Sequence, residues 1–172
     1  MAEGPPHFSA LVPLAAKHEL DGFQSGEPVL DIWLRQRALE NAALGASQTY
    51  VMCLRDSNRV AGFYALCMGQ ILNRDATGAM RRNMPRHIPA VILGRLAIDR
   101  TWQGQGLGRE LLLDAVQRSD RAASEISARL LVVHAISSAA ESFYLHYGFV
   151  RLPVETPTLA LDLTKFRDHR EE

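Results

Sequence analysis

The stretch from Val91 to Arg109, VILGRLAIDRTWQGQGLGR, constrains how the chain around it can fold. It opens with two apolar triplets, Val91-Ile92-Leu93 and Leu96-Ala97-Ile98. The run ends at Asp99-Arg100, and Gln103-Gly104-Gln105-Gly106-Leu107-Gly108 follows. Leu107, Leu111 and Ala115 then recur at helical spacing, with Leu112 and Val116 beside them. A short apolar run, bounded by turn-formers and followed by helical periodicity, reads as strand, loop and helix. Glycines let a loop turn tightly enough for successive N–H groups to face one anion. The helix after it adds its unpaired N–H groups and the positive end of its dipole. A loop of this kind suits phosphate.

Spacing decides which phosphate ligand. A Walker loop needs GxxxxGK followed by Ser or Thr, and that lysine is absent. A dinucleotide fingerprint counted from Gly104 places Arg109 where Gly or Ala is required. The arrangement present is Gln-x-x-Gly-x-Gly, carried by Gln103, Gly106 and Gly108. Taken alone, the loop could also be a tight turn that serves packing.

The 172 residues suffice for one domain with a sizeable core, and 47% hydrophobic with 22% charged residues is ordinary for a globular protein. Nineteen basic residues balance nineteen acidic ones, which argues against a surface that attracts nucleic acid everywhere but leaves room for a local patch. The start, MAEGPPHF, lacks the features of a secretory signal, and no apolar run is long enough to span a bilayer. Cys53 and Cys67 sit in apolar runs without metal-ligand spacing, so two reduced core thiols, a cytoplasmic location and no metal are expected.

Around the central unit, residues 1–6 read as a disordered lead and Phe8–Pro13 as a first strand. A helix opens near Ser25, which is placed to cap it. It carries Leu30, Trp33, Leu34 and Ala38 on one face and runs to Leu44 before Gly45. Tyr50–Leu54 and Val60–Leu72 form an antiparallel hairpin through Asp56-Ser57-Asn58. Asn73–Pro89, with Gly78, Pro85 and Pro89, is expected to hold no regular element. Between Asn73 and Ile98 lie five arginines (Arg74, Arg81, Arg82, Arg86, Arg95) against one acid, Asp75. Charge runs of this kind are usually solvated loops, and on charge alone that reading is preferred. Arg129–Ala135 reads as a buried strand. Ser138 and Glu141 have capping-box spacing for a helix that carries Phe143 and Tyr144 and ends near Gly148. Phe149–Leu152 and Leu159–Leu163 are the last strands, and Arg167–Glu172 is expected to fray. No second-domain boundary is visible.

Two signals coincide: the loop after a central strand, and a later helix ending in FYxxxGF (Phe143-Tyr144 to Gly148-Phe149). Together they resemble the GCN5-related N-acetyltransferases over roughly the last ninety residues, and the hairpin and first helix fit that family's order. The resemblance implies a single domain of α/β (α+β) class, with a mixed, mostly antiparallel twisted sheet of about six to seven strands flanked by helices. It implies acetyl-CoA as co-substrate. A splayed strand ending Leu96-Ala97-Ile98 would pair with the pantetheine arm, and the N–H near Ala97 would polarise the thioester carbonyl. Gln103, Gly104, Gln105, Gly106, Leu107, Gly108 and Arg109 would hold the pyrophosphate, with Ser138 and Phe143 also on the coenzyme. Tyr144 takes the general-acid position, protonating the departing thiolate; a phenol, with an ordinary pKa of about 10, carries its proton at neutral pH. For an isolated tyrosine, packing on the helix face would be the better reading. Ser137 departs from the asparagine many members have there.

A narrower resemblance lies in FxSGxxxLDxWL (Phe23–Leu34), LGRLAID (Leu93–Asp99), Val133-His134-Ala135 and the closing LPVETPTLALDL. These resemble the acetyltransferase toxins of bacterial type II toxin–antitoxin systems, which acetylate the α-amine of the amino acid on charged tRNA. The resemblance implies a ribbon-helix-helix antitoxin, a homodimer, and a tRNA-facing surface at Arg81, Arg82, Arg86 and Arg95. An α-amine with a pKa near 8 needs no strong base. His134 and His87 are the weak candidates for one; a lone histidine on a buried strand is more often a hydrogen-bonded core residue. The rival readings are an acetyltransferase for a small amine or a protein N-terminus, and a non-catalytic module that holds coenzyme A or a partner protein.

Overall fold

The computed structural model describes residues 8–168. The element order is β1 (Val12–Pro13), α1 (Pro28–Gln36), α2 (Ala38–Ala43), β2 (Gln48–Cys53), β3 (Val60–Leu72), α3 (Gly78–Arg81), β4 (His87–Ile98), α4 (Leu107–Ile126), β5 (Leu130–His134), α5 (Ser138–His146), β6 (Val150–Arg151), β7 (Thr158–Asp162) and α6 (Leu163–Asp168). Single 3-10 turns occur at Asn73–Asp75 and Arg100–Trp102. The seven strands follow the order β1-β2-β3-β4-β5-β7-β6. Pairing is antiparallel for β1/β2, β2/β3, β5/β7 and β6/β7, and parallel for β4/β5. The sheet is therefore mixed and mostly antiparallel. No described helix is long and apolar enough to cross a membrane.

The chain packs as two compact units. One holds the residues up to Leu66 together with Arg95–Ala115; the other holds Cys67–Gly94 and the chain from Val116 onward. In the first, β2 and β3 pair from Gln48↔Leu66 to Met52↔Gly62, with an irregularity between Met52 and Cys53. The apolar stripe of α1 (Leu30, Trp33, Leu34) and Ala38 join Phe23, Val51, Phe63 and Ala97 in one buried cluster. Phe63 sits between two rings, edge-on to Phe23 at 5.5 Å and stacked on Trp33 at 6.3 Å.

In the second unit, β5 is apolar and buried at four successive residues, Leu130 to Val133, as a strand covered on both faces must be. Its parallel pairing with β4 spans Ala90–Leu93 against Leu130–Val133, so Leu96-Ala97-Ile98 lie outside that ladder. Parallel neighbours need a long crossover, here the 20-residue α4. Ile88, Ala90, Leu130, Val132, Leu152 and Ala160 form this unit's core with Ala76 and Met80.

Several local expectations are corrected. The first helix breaks at Arg37, whose φ of −123° is not helical, giving α1 and α2 in place of one helix to Leu44. Ser25 does not cap α1; the N-cap is Glu27, and Ser25 Oγ instead donates to Asp31 at 2.6 Å. Asn73–Pro89 holds regular structure after all. Thr77 Oγ1 accepts from Met80 N at 3.4 Å to cap the one-turn α3, buried Met80 anchors it, and β4 already begins at His87. Ser137, not Ser138, caps α5, accepting from Ala140 N at 3.1 Å. Glu141 does not fold back into a capping box, because its carboxylate takes Arg151 at 2.8 Å. The expected strand Phe149–Leu152 shortens to β6, Leu159–Leu163 moves one residue earlier as β7, and the first strand shortens to β1, Phe8 making only an isolated bridge to Leu54. Cys53 is buried but Cys67 only partly so. The expected N-terminal lead and the end of the tail, residues 169–172, lie outside the described residues.

Candidate active site

In the first unit, the loop after β4 is shaped by its own side chains. Gln103 spends its amide on the backbone: Nε2 donates to Ser25 O at 2.7 Å and to Ile98 O at 2.9 Å. Gly104 and Gly106 have φ of +79° and +81°, the left-handed region that penalises a Cβ, and a Cβ at either position would meet nothing within 4 Å. The glycines are thus required by backbone conformation, and the space over them is open. Helix α4 starts at Leu107, whose side chain is buried with Leu111, Leu112, Ala115 and Val116. Glu110 N donates to Gly106 O at 3.3 Å; among the described residues the N–H groups of Leu107, Gly108 and Arg109 meet no carbonyl of the loop before them. Unpaired donors in a first helical turn, with open space over the glycines, suit an anion. Arg109 is exposed beside the loop and 3.7 Å from Glu110. Ala97 is buried, Leu96 and Ile98 are half-buried, and Asp99 N donates to Ala61 O at 2.8 Å.

In the second unit, Tyr144 is 5% exposed on α5. Its ring meets Phe143 at 5.2 Å and Phe149 at 5.4 Å, and Phe143 also packs on Tyr147 at 5.0 Å. Burial pushes the phenol well above its ordinary value, so the proton stays on through the neutral range. Ser138 is exposed in the first turn of the same helix. His134 is exposed at the end of β5, not buried as a core histidine, and its Nδ1 lies 3.0 Å from Thr158 Oγ1. His87 is exposed at the start of β4.

The basic segment is also ordered, by a residue the sequence reading passed over. Asn73 Nδ2 donates to Arg81 O and Met84 O at 3.1 Å and to Pro85 O at 3.3 Å, and Asn73 N donates to Arg86 O at 2.8 Å. One amide thereby gathers the backbone that carries Arg81, Arg82 and Arg86, all three exposed. Leu72, Asn73, Arg74, Met84 and Arg86 line a cavity of about 390 Å³. Asparagine's habit of bonding nearby backbone was the available signal. Arg95 belongs to the other unit, where its guanidinium lies 4.0 Å over the Trp33 ring.

A mixed, mostly antiparallel sheet, a glycine loop at a helix N-terminus and a buried tyrosine on a later helix are what an acyl transfer from a phosphate-bearing coenzyme would use. Residues 46–151 match the acetyltransferase (GNAT) domain, and the chain belongs to that family. It is 45% identical over 154 residues to a tRNA-acetylating toxin of Mycobacterium tuberculosis, covering 90% of this chain and 92% of that protein. Among solved structures, AtaT complexed with acetyl-methionyl-tRNAfMet superposes with a TM-score of 0.89 at 26% identity, covering 95% of this chain and 99% of the other. A mutant AtaT toxin bound to the C-terminus of the antitoxin AtaR and acetyl-CoA gives a TM-score of 0.82 at 27% identity, over 96% and 99%. The chain is thus an acetyl-CoA-dependent N-acetyltransferase similar to toxins of toxin–antitoxin pairs.

Proposed function

We propose that this acetyltransferase acetylates the α-amine of the amino acid on charged tRNA, and so acts as a translation-blocking toxin held in check by an antitoxin. The 45% identity to a tRNA-acetylating toxin over 90% of the chain carries the proposal. The Asn73-organised arginine segment supports it, since Arg81, Arg82 and Arg86 present exposed cations suited to phosphates.

In this reading the N–H groups of Leu107, Gly108 and Arg109 bind the pyrophosphate of acetyl-CoA, with Gly104, Gln105 and Gly106 leaving room for it. Gln103 shapes the loop through the Ser25 and Ile98 carbonyls. The backbone at Leu96-Ala97-Ile98, outside the β5 ladder, pairs with the pantetheine arm, and the Ala97 N–H polarises the thioester carbonyl. Phe143 and Ser138 complete the coenzyme's contacts. The neutral amine attacks the acetyl carbonyl, the C–S bond breaks, and the thiolate takes the Tyr144 proton. The amide nitrogen's surplus proton leaves to solvent, which also reprotonates Tyr144. Burial keeps the phenol protonated at neutral pH, so the proton is on Tyr144 when the thiolate forms. Arg81, Arg82 and Arg86 contact the tRNA.

The test is transfer of labelled acetyl from acetyl-CoA to pooled aminoacyl-tRNA, with uncharged tRNA and polyamines in parallel. Label on charged tRNA alone is expected; label on polyamines instead would make this a small-amine acetyltransferase.

A further inference from the structure

The FxSGxxxLDxWL stretch has a physical task apart from its packing residues. Ser25 and Asp31 are both buried. Ser25 N donates to both carboxylate oxygens of Asp31 at 3.1 Å, and Ser25 Oγ donates to Oδ1 at 2.6 Å. The held serine offers its carbonyl to Gln103 Nε2 at 2.7 Å, and the same amide reaches Ile98 O at 2.9 Å. The neighbouring residue does the same for the start of the connection. Gln24 N donates to Asp99 Oδ2 at 3.0 Å, Arg100 N donates to Gln24 O at 2.8 Å, and Asp99 Oδ1 accepts from Thr101 N at 3.0 Å. Gly26 follows at φ +98°, a left-handed conformation that favours glycine, with the Arg100 side chain 3.3 Å from where a Cβ would stand. The Asp99–Gln103 segment is therefore attached to Gln24–Ser25 at both residues: Asp99 itself accepts from Gln24 N, and the buried Asp31 carboxylate fixes Ser25, whose carbonyl holds Gln103.

We infer that Asp31 is a positioning residue for the coenzyme loop: by holding Ser25 it fixes Gln103, and through Gln103 the direction of the N–H groups at the start of α4. The inference rests on the proposed reading of that loop as the acetyl-CoA pyrophosphate site. Hydrogen bonds to an ionised acceptor are the strong ones, and the carboxylate accepts three from Ser25. An amide of the same shape has one acceptor oxygen and turns donors toward the Ser25 N–H. Asp31→Asn therefore loosens the clamp without changing the volume of the site.

The experiment compares the full-length wild type with Asp31→Asn and Ser25→Ala. It follows acetyl-CoA binding by calorimetry, KM and kcat for acetyl transfer, and amide exchange of residues 103–109 without ligand. A loosened loop is expected to raise Kd and KM for acetyl-CoA by about tenfold, to change kcat at saturating coenzyme much less, and to speed exchange of the loop amides. If Asp31→Asn does not fold, Ser25→Ala and Gln103→Met remove one hydroxyl and one amide and carry the same comparison. Folded variants that only melt earlier, with Kd and loop exchange as in wild type, would overturn the inference and leave Asp31 a stability residue. A wild type that fails to bind acetyl-CoA would overturn the coenzyme reading instead, while faster loop exchange in Asp31→Asn would still support the clamp.

Discussion

The backbone N–H of Phe149 donates to the carbonyl of Tyr144 at 3.1 Å, and the two rings lie 5.4 Å apart. One residue earlier, Gly148 N donates to Leu145 O at 3.2 Å from a backbone at φ +92°. This pair of bonds, closed by a hydrophobic contact across the left-handed residue, is how a helix is terminated in the Schellman manner. The FYxxxGF pattern is thus a folding unit, and the role proposed for Tyr144 rests on it. It ends α5 and presses the Tyr144 ring against Phe149, and the burial that results keeps the phenol protonated.

Tyr144→Phe keeps that packing and removes only the proton. Acetyl transfer is expected to fall by about 10²–10⁴-fold, the usual contribution of a general acid, with acetyl-CoA affinity nearly unchanged. In wild type, kcat should show no alkaline fall attributable to this group up to about pH 10, because the folded phenol titrates above its ordinary value. A pH–rate profile of both proteins checks this, and an active phenylalanine variant would remove Tyr144 from the chemistry.

Gly148→Ala forces a Cβ into the left-handed region that closes α5. A loss of about 1–2 kcal/mol is expected in urea unfolding, the usual cost of such a conformation for an L-residue. Acetyl transfer should fall as well, because the Phe149 ring that holds Tyr144 follows directly from this turn.

How far these features could be read in advance depended on whether a local pattern had one interpretation. The apolar runs that became β3, β4 and β5 were legible as strands, whereas the glycine loop before α4 admitted a packing turn as well until FYxxxGF was set beside it, and the sheet class came from that joint resemblance. The capping serine of α5 was not legible, because Ser137 and Ser138 are adjacent. Glu141, which pointed to Ser138, is taken by Arg151, a partner ten residues on. Similarly, Gly78, Pro85 and Pro89 looked like breakers. Gly78 opens α3, and Pro89 lies inside β4 with its carbonyl accepting from Arg129 N at 2.9 Å. The roles of Asn73, Asp31 and Gln103 are made by contacts that only the fold brings together, and no sequence period marks them.

Asp162 illustrates such a contact and predicts a pH dependence. Its carboxylate takes Arg129 Nε and Nη2 at 2.9 Å each, with Thr164 Oγ1 at 2.7 Å and Thr164 N at 3.1 Å. Burial pushes the carboxyl up, but the Arg129 and Thr164 hydrogen bonds and the arginine's charge outweigh it and hold the group below its ordinary value. A depressed folded value means the stabilisation is present above the unfolded carboxylate's pKa of about 3.9 and is lost as pH falls below it. With side chains 21% and 4% exposed, the pair is largely buried. Asp162→Asn should therefore cost about 2–4 kcal/mol at pH 7, measured by denaturant unfolding. The gap between variant and wild type should narrow below about pH 4. A gap independent of pH would mean the carboxylate's charge contributes nothing.

The arginine segment makes the last prediction, because it separates the two substrates. Arg81 and Arg82 are exposed at the end of α3, in the unit that does not contain the glycine loop. Reversing both to Glu exchanges two attractive charges for two repulsive ones on the surface proposed to meet tRNA. Each lost phosphate contact also lowers the salt slope of binding by about one, so the double variant should show a slope smaller by about two. KM for aminoacyl-tRNA should rise by at least about tenfold while the Kd for acetyl-CoA stays put, since phosphate contacts act uniformly across sequences and do not touch the coenzyme. Asn73→Ala, which frees the carbonyls of Arg81, Met84 and Pro85, should produce a weaker version of the same defect without altering charge. Filter binding of charged tRNA across a salt series, beside calorimetry with acetyl-CoA, reads both quantities. If tRNA and coenzyme affinities fell together, the segment would be holding the fold; if neither fell, the tRNA would be meeting another surface.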